Sequence, residues 1–287
     1  MTGGIFWLAS YPKSGNTWFR AFLHNLQADS AEPVDINEMY TAVIASGRGW
    51  MDEIVGFNIS DLTEDEVERL RPVAYRWLRH DKEISYLKIH DAYTLLPDGE
   101  PLVSREGNLG ALYIVRNPLD VAISFAGHMN CSIDRAIEMM GDREFRFGSN
   151  GKKLPEQLAQ RLLSWSRHVA SWVEADGISK EVIRYEDMKT RPLETFTRAA
   201  AFLKLPTERK RVEKAIRFSD IGELQRQENE KGFAERPMRM ERFFRKGISG
   251  DWRTTLTPAQ SEKIIADHFT MMRHFNYIDE HGQPTEV

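Results

Sequence analysis

The chain has 287 residues, 41% of them hydrophobic, enough for one large α/β domain or two small ones around a sizeable core. Its 39 Lys and Arg against 43 Asp and Glu leave a formal net charge of −4; with no long basic run, nucleic acid and an anionic membrane are disfavoured as main partners. A single cysteine, Cys131, excludes an internal disulfide and suits a reducing compartment, and apolar runs such as ALYIV fall far short of a membrane span.

In chain order, MTGGIFWLASYPK has no basic segment ahead of its apolar run and no small-residue cleavage site after it. It reads as a first strand over Ile5 to Ala9 rather than a signal peptide, so a cytoplasmic location is expected. Next comes a small polar loop within ASYPKSGNTWFRAF, and then a helix over Thr17 to Gln27 with Trp18, Phe22 and Leu26 on one face. Such a strand–loop–helix junction resembles a phosphate cradle. ATP-binding P-loops end in Gly-Lys-Ser/Thr, however, whereas Lys13 here precedes Ser14 and Gly15.

Ala31 to Ile59 shows no clear period. TEDE predicts a helix from Thr63, with Glu66 three residues after the capping Thr. ISYLKIH, Ile84 to His90, reads as a second strand. ALYIVRNPLDVAISF repeats the opening design: a strand to Val115, then a turn, then a helix with Asn117 at its N-cap and Pro118 at its first position. His128 to Lys153 is the least regular stretch and is expected to be a loop or mobile lid, residues 128–153. Pro155 to Ala175 predicts a long amphipathic helix carrying Leu158, Leu162, Trp165, Val169 and Trp172. EVIRYED predicts another strand, and helices are expected near Pro192, Pro206 and Thr257. Strands alternating with helices imply one α/β domain over residues 1–287, with a central, mainly parallel sheet flanked by helices.

In such sheets ligands bind beyond the carboxyl ends of the strands, where helix N-termini favour anions. Two junctions here carry a cation, Lys13 and Arg116, with hydroxyls nearby in sequence at Ser14, Thr17 and Ser124. Together they would suit a ligand with phosphates at two positions. Taken singly, Lys13 also fits a solvated loop residue and Arg116 a surface ion pair. A third cationic stretch, RFFRKGISGDW, places Arg245 and Lys246 before Gly247 and Gly250, where the backbone can approach a ligand; alone it also fits an exposed basic loop.

Taken together, these stretches resemble the soluble sulfotransferases that use 3′-phosphoadenosine 5′-phosphosulfate (PAPS) and release 3′,5′-adenosine bisphosphate (PAP). YPKSGNTW is similar to that family's 5′-phosphosulfate loop, and YIVRNPLDVAISF to its 3′-phosphate segment. LKIHDAYTLLP resembles the strand of its catalytic histidine, RYEDMKTRP its adenine-contacting segment, FRKGISGDW its C-terminal Arg-Lys-Gly loop, and SWSRHVASW its helical core. The pieces run in family order from Tyr11 to Trp252.

The resemblance implies a P-loop-NTPase-like sulfotransferase fold. It implies that Lys13 and the backbone of Ser14, Gly15, Asn16 and Thr17 hold the 5′-phosphate and sulfuryl group. Trp18 would stack on adenine, with Tyr185, Ser219 and Ile221 nearby. Arg116, Ser124, Arg245, Lys246 and Gly247 would hold the 3′-phosphate. His90 would act as general base, with Lys88 on the same strand face and Ser124 steadying Lys13. No metal is implied, since lysine and arginine can supply the charge that Mg²⁺ brings to a kinase. The acceptor would be a small molecule with an apolar or aromatic part, received near Tyr93, Phe125, Met129, Phe243 and Phe244, with Met139 and Met140 suiting either an adaptable lid or ordinary packing. Asn16, Ile89 and Ile221 depart from the family pattern. So do two of the four residues at its dimer motif, which falls on Arg253, Thr257, Pro258 and Glu262; the oligomeric state is left open. The competing readings are a P-loop-like kinase or phosphotransferase and a catalytically silent nucleotide-binding protein.

Overall fold

The computed structural model describes residues 3–42, 44–78, 83–148, 155–237 and 240–285. It is an α/β fold around a four-stranded sheet ordered β2-β1-β3-β6, made of β1 Gly4–Ser10, β2 Ile84–Ile89, β3 Asn108–Val115 and β6 Lys180–Arg184. A short antiparallel pair, β4 Arg146–Phe147 and β5 Gln160–Arg161, lies apart from it. β1 and β2 pair in parallel from Gly4 opposite Ile84 to Ala9 opposite Ile89. β1 is buried at every position, as a strand without a polar face requires.

The chain divides into two compact units. One comprises Met1–Tyr11, Val43–Tyr113 and Asp142–Val182, the other Pro12–Ala42, Ile114–Gly141 and Ile183–Val287. In the first, helices α2 Arg48–Val55, α3 Glu64–Trp77 and α6 Trp165–Val173 accompany the strands. Trp7 of β1 meets Tyr75 of α3 edge to face with centroids 4.9 Å apart, and Tyr113 of β3 stacks on Trp172 of α6 at 6.2 Å. These aromatic contacts fasten α3 and α6 to the sheet. The expected capping box at Thr63 and Glu66 starts α3.

The second unit holds α1 Asn16–Ala28, α4 Pro118–Met129, α5 Ile133–Gly141, α7 Tyr185–Thr190, α8 Pro192–Phe202, α9 Arg209–Phe218, α10 Ile221–Lys231, α11 Trp252–Thr255 and α12 Pro258–His274. Phe19 and Phe22 of α1 pack on Phe196 of α8, centroids 5.9 and 4.3 Å away. Asn117 caps α4 as expected, its side chain accepting the Leu119 N–H with Pro118 at the first helical position.

Three expectations need correction. Much of 128–153 is ordered structure: His128 and Met129 close α4, and α5 buries Ala136, Ile137, Met139 and Met140. Nine residues are too few for that apolar face to declare its period. Residues 149–154 lie outside the described residues. The helix expected from Pro155 starts only at Trp165, where Ser164 accepts the Arg167 N–H after Leu163 turns through a φ of +57°. Leu158 and Leu162 are buried all the same, from extended backbone, so burial mimicked a helical spacing. The strand expected through Asp187 ends at Arg184, and Tyr185 opens α7.

Candidate active site

The second unit contains the phosphate-loop residues, Arg116, Ser124, Tyr185, Ser219, Ile221 and the 245–247 loop. After Pro12 the backbone turns through left-handed positions at Lys13, φ +69°, and Gly15, φ +102°. A Cβ at Gly15 would lie 2.7 Å from the Tyr185 ring, so the position admits only glycine without movement. α1 then begins with no side-chain cap and no acid in its first turn. Ser14 is fully buried and its hydroxyl has no protein partner. The Lys13 ammonium lies 3.9 Å from the centre of the Phe243 ring.

Arg116, at the end of β3, ties the loops together. One guanidinium nitrogen donates to the Lys13 carbonyl and another to the Ile248 carbonyl, each at 3.1 Å. Its charge sits 4.2 Å above the Tyr185 ring, and its buried Nε–H has no protein partner. The 243–252 segment is held by carboxylates that sequence reading missed. Glu228 accepts the Phe243 and Phe244 N–H groups at 2.7 and 2.9 Å, and Asp120 accepts those of Gly250 and Trp252 at 2.8 and 3.1 Å. A Cβ on Gly127 of α4 would lie 3.5 Å from the Arg245 guanidinium, one turn beyond half-buried Ser124. Lys246 is drawn to Asp251, 2.6 Å away. Gly247 has a φ of +58°, and a Cβ there would meet Ile221 at 2.5 Å.

Among the residues expected near adenine, Trp18 and Ile221 are partly exposed. Trp18, Ile221 and Phe243 all pack on one core cluster that includes Leu224, Phe233 and Phe244. Trp18 meets Tyr185 edge-on at 5.6 Å, and its Nε1–H is buried without a protein partner. Ser219 is buried at the end of α9 and donates its hydroxyl to the Ala215 carbonyl at 2.9 Å, so toward a ligand it can only accept. Glu186, beside Tyr185, accepts the Asn117 N–H at 3.0 Å and the Tyr277 hydroxyl at 2.9 Å; burial raises its pKa. It thereby fixes the residue that follows Arg116.

The first unit contains Lys88 and His90. Lys88 is half-buried in β2 opposite Leu8, on the strand face that leads to His90. His90 Nδ1 lies 2.8 Å from the Ser10 carbonyl oxygen. A carbonyl only accepts, so Nδ1 carries the proton and Nε2 keeps its lone pair. The tautomer is the one a general base acting through Nε2 requires. Along the chain, Ser10 is three residues ahead of Lys13.

Among the residues expected at the acceptor, Phe125 and Met140 are fully buried and Phe244 and Met139 nearly so, which makes them packing residues. Tyr93, Met129 and Phe243 remain partly exposed. Among the described residues no cluster of three or more His, Cys, Asp or Glu could hold a metal, and no helix is long and apolar enough to cross a membrane.

The buried donors without a protein partner, the glycine turns and the guanidinium between two loops suit an anionic ligand. The sulfotransferase domain model matches residues 5–273, and the chain belongs to the sulfotransferase family. It is 24% identical to dog sulfotransferase 1A1, covering 89% of both chains, and 27% identical to Arabidopsis thaliana cytosolic sulfotransferase 13, covering 90% of this chain and 73% of that one. In fold it is similar to mouse sulfotransferase SULT7A1 complexed with PAP, with a TM-score of 0.57 at 22% identity over 94% of this chain and 84% of that one. Retinol dehydratase in complex with androsterone and PAP gives a TM-score of 0.60 at 17% identity over 94% and 80%. The chain is therefore a PAPS-dependent sulfotransferase, and family membership sets aside the phosphotransferase reading.

Proposed function

We propose that PAPS is held by the second unit and that His90 activates a small-molecule hydroxyl or amine. One observation carries the donor assignment: Arg116 bonds both the Lys13 and the Ile248 carbonyls, joining stretches far apart in sequence that would surround one anion. Buried Ser14 Oγ, Trp18 Nε1, Arg116 Nε and Ser249 Oγ, all without a protein partner, fit a ligand rich in acceptors. The backbone of Ser14 to Thr17 with Lys13 would take the 5′ end. Arg116, Ser124, Arg245, Lys246 and the Gly247 backbone would take the 3′-phosphate. Trp18, Tyr185, Ile221 and Ser219 would receive adenine.

The donor supplies an activated sulfuryl group. His90 Nε2 takes the acceptor proton, and Lys13, steadied by Ser124, stabilises charge on the leaving bisphosphate. Lys88, two residues before His90 on the same strand face, would add a second cation beside the base. The acceptor is a small molecule with an apolar or aromatic part. Support comes from the solved neighbours that hold androsterone or retinol, and from the half-exposed ring of Tyr93, three residues after His90. The cytosolic naming of a plant relative supports a cytoplasmic location.

Calorimetry with PAP, against ATP plus Mg²⁺, tests the donor assignment, and transfer from PAPS to a panel of phenols and alcohols tests the acceptor class. PAP should bind far more tightly; a preference for ATP plus Mg²⁺ ends the reading. His90→Ala should abolish transfer while PAP still binds, and unchanged turnover would reassign the base.

A further inference from the structure

A buried chain of hydrogen bonds in the first unit runs from the backbone of Tyr11 to the backbone of His90. The Tyr11 N–H donates to the Tyr113 hydroxyl oxygen. Tyr113 Oη lies 2.8 Å from His168 Nδ1, and His168 Nε2 lies 2.9 Å from the His90 carbonyl oxygen. The last contact sets the direction of all the others. A carbonyl accepts only, so Nε2 of His168 carries the proton; in a neutral ring Nδ1 then accepts from the Tyr113 hydroxyl. Full burial keeps the ring neutral, holding its pKa down to about 4, and the Tyr11 ring packs edge-on against it at 5.3 Å.

The neighbouring residue is held from the same helix. Trp172 Nε1, one turn beyond His168 in α6, donates to the Asp91 carbonyl at 3.0 Å. Arg71 grips the buried Asp91 carboxylate with bonds of 3.0 and 2.7 Å. Successive carbonyls at positions 90 and 91 are thus tied to α6, while Ser10 holds the His90 ring. Free rotation of the peptide after His90 is blocked.

We propose that His168, backed by Tyr113, is a positioning residue that fixes the backbone of His90 so that its imidazole faces the acceptor. The proposal rests on His90 being the base. Displacing a catalytic group by about 1 Å can cost on the order of 100-fold in rate.

Two substitutions separate positioning from packing. The Gln amide nitrogen stands where His Nε2 does, so His168→Gln keeps the bond to the His90 carbonyl and loses the acceptor for Tyr113. The Asn amide oxygen stands where Nδ1 does, so His168→Asn keeps the Tyr113 contact and frees the His90 carbonyl. Both lose one buried bond and should be similarly destabilised. With PAPS and a phenol from the panel, or sulfate release to water, kcat should stay within about threefold in His168→Gln and fall about 10- to 100-fold in His168→Asn. The Kd for PAP should not move in either variant. In ¹⁵N-labelled, PAP-bound protein the His90 Nδ1–H signal should persist in His168→Gln and exchange rapidly in His168→Asn.

Equal rates in the two variants, with the Nδ1–H signal kept in both, would overturn the proposal. If His90→Ala still turns over, it is the base assignment that fails, and the NMR signal alone then decides whether His168 positions the ring. Should neither variant fold, Tyr113→Phe serves instead. It strips Nδ1 of its donor but leaves the Nε2 bond to the His90 carbonyl, so kcat should stay within about threefold as in His168→Gln; a fall of about 10-fold or more there overturns the proposal.

Discussion

Replacing Arg116 with alanine tests the donor site most directly. The guanidinium makes two bonds of 3.1 Å to carbonyls on separate loops, lies 4.2 Å above Tyr185 and keeps a buried Nε–H for the ligand. Bonds from a charged donor contribute about 1.5–3 kcal/mol each when buried, and these are half-exposed, so about 1 kcal/mol apiece is the reasonable share. The cation–π contact adds about 0.5–1 kcal/mol. Loss of the loop bridge together with the charge facing a phosphate should weaken PAP by about 2–3 kcal/mol, roughly 30- to 150-fold in Kd. Arg116→Lys keeps the charge but cannot span both carbonyls, and should fall between native and alanine. Titration calorimetry with PAP reads all three proteins. A Kd for Arg116→Ala within threefold of native would show that the 3′-phosphate is held elsewhere.

Gly15→Ala places a Cβ 2.7 Å from the Tyr185 ring at a φ of +102°; it should cost about 1–3 kcal/mol in a denaturant melt and abolish PAP binding. Asp91→Ala strands the buried Arg71 guanidinium, and the melt should show a loss of about 3–5 kcal/mol. Burial holds the pKa values of His24, His168 and His268 down to about 4, so the unfolded chain binds more protons than the folded one between pH 6.5 and 4. Stability present above pH 6.5 should therefore drop as pH falls, by about 2 kcal/mol per histidine at pH 5, and a flat melting temperature from pH 7 to 5 would contradict this.

The strand–turn–helix junctions that carry the proposed donor residues were legible because their signals are local. A strand, a turn with one cation and a helix start are contiguous in YPKSGNTW and in YIVRNPLDVAISF, and backbone N–H groups follow from that order alone. What organises them was not legible. Asp120 and Glu228 serve the 243–252 segment across more than a hundred residues in one case and about fifteen in the other, and Glu186 reaches back to Asn117. Two of these carboxylates sit inside the quoted segments and the third in α10, whose cap at Asp220 the sequence reading passed over. The acceptor residues failed for a different reason. An apolar side chain states that it will be buried, not against what: Phe125 and Met140 are core, while Phe243 keeps a partly open face beneath Lys13.

The use of these carboxylates explains how a chain of net charge −4 can present a strong anion site. Asp120, Glu186 and Glu228 each accept bonds from backbone N–H groups, and Glu186 also takes the Tyr277 hydroxyl. Their charge is spent largely on fixing loops, although Arg236 also lies 3.9 Å from Glu228. Among the described residues no carboxylate forms an ion pair with Arg116 or Arg245, whereas exposed Lys246 is already engaged by Asp251. The half-buried Arg116 guanidinium, left without a carboxylate, is costly unless an anion completes it. Glu228 and Asp120 pin the two ends of the Arg245 loop, and Glu186 pins the residue after Arg116. The cations are thereby held in position without being neutralised. That separation of structural acid from functional base lets Arg116 and Arg245 meet a polyanion without first breaking an ion pair, while Lys246 must leave Asp251.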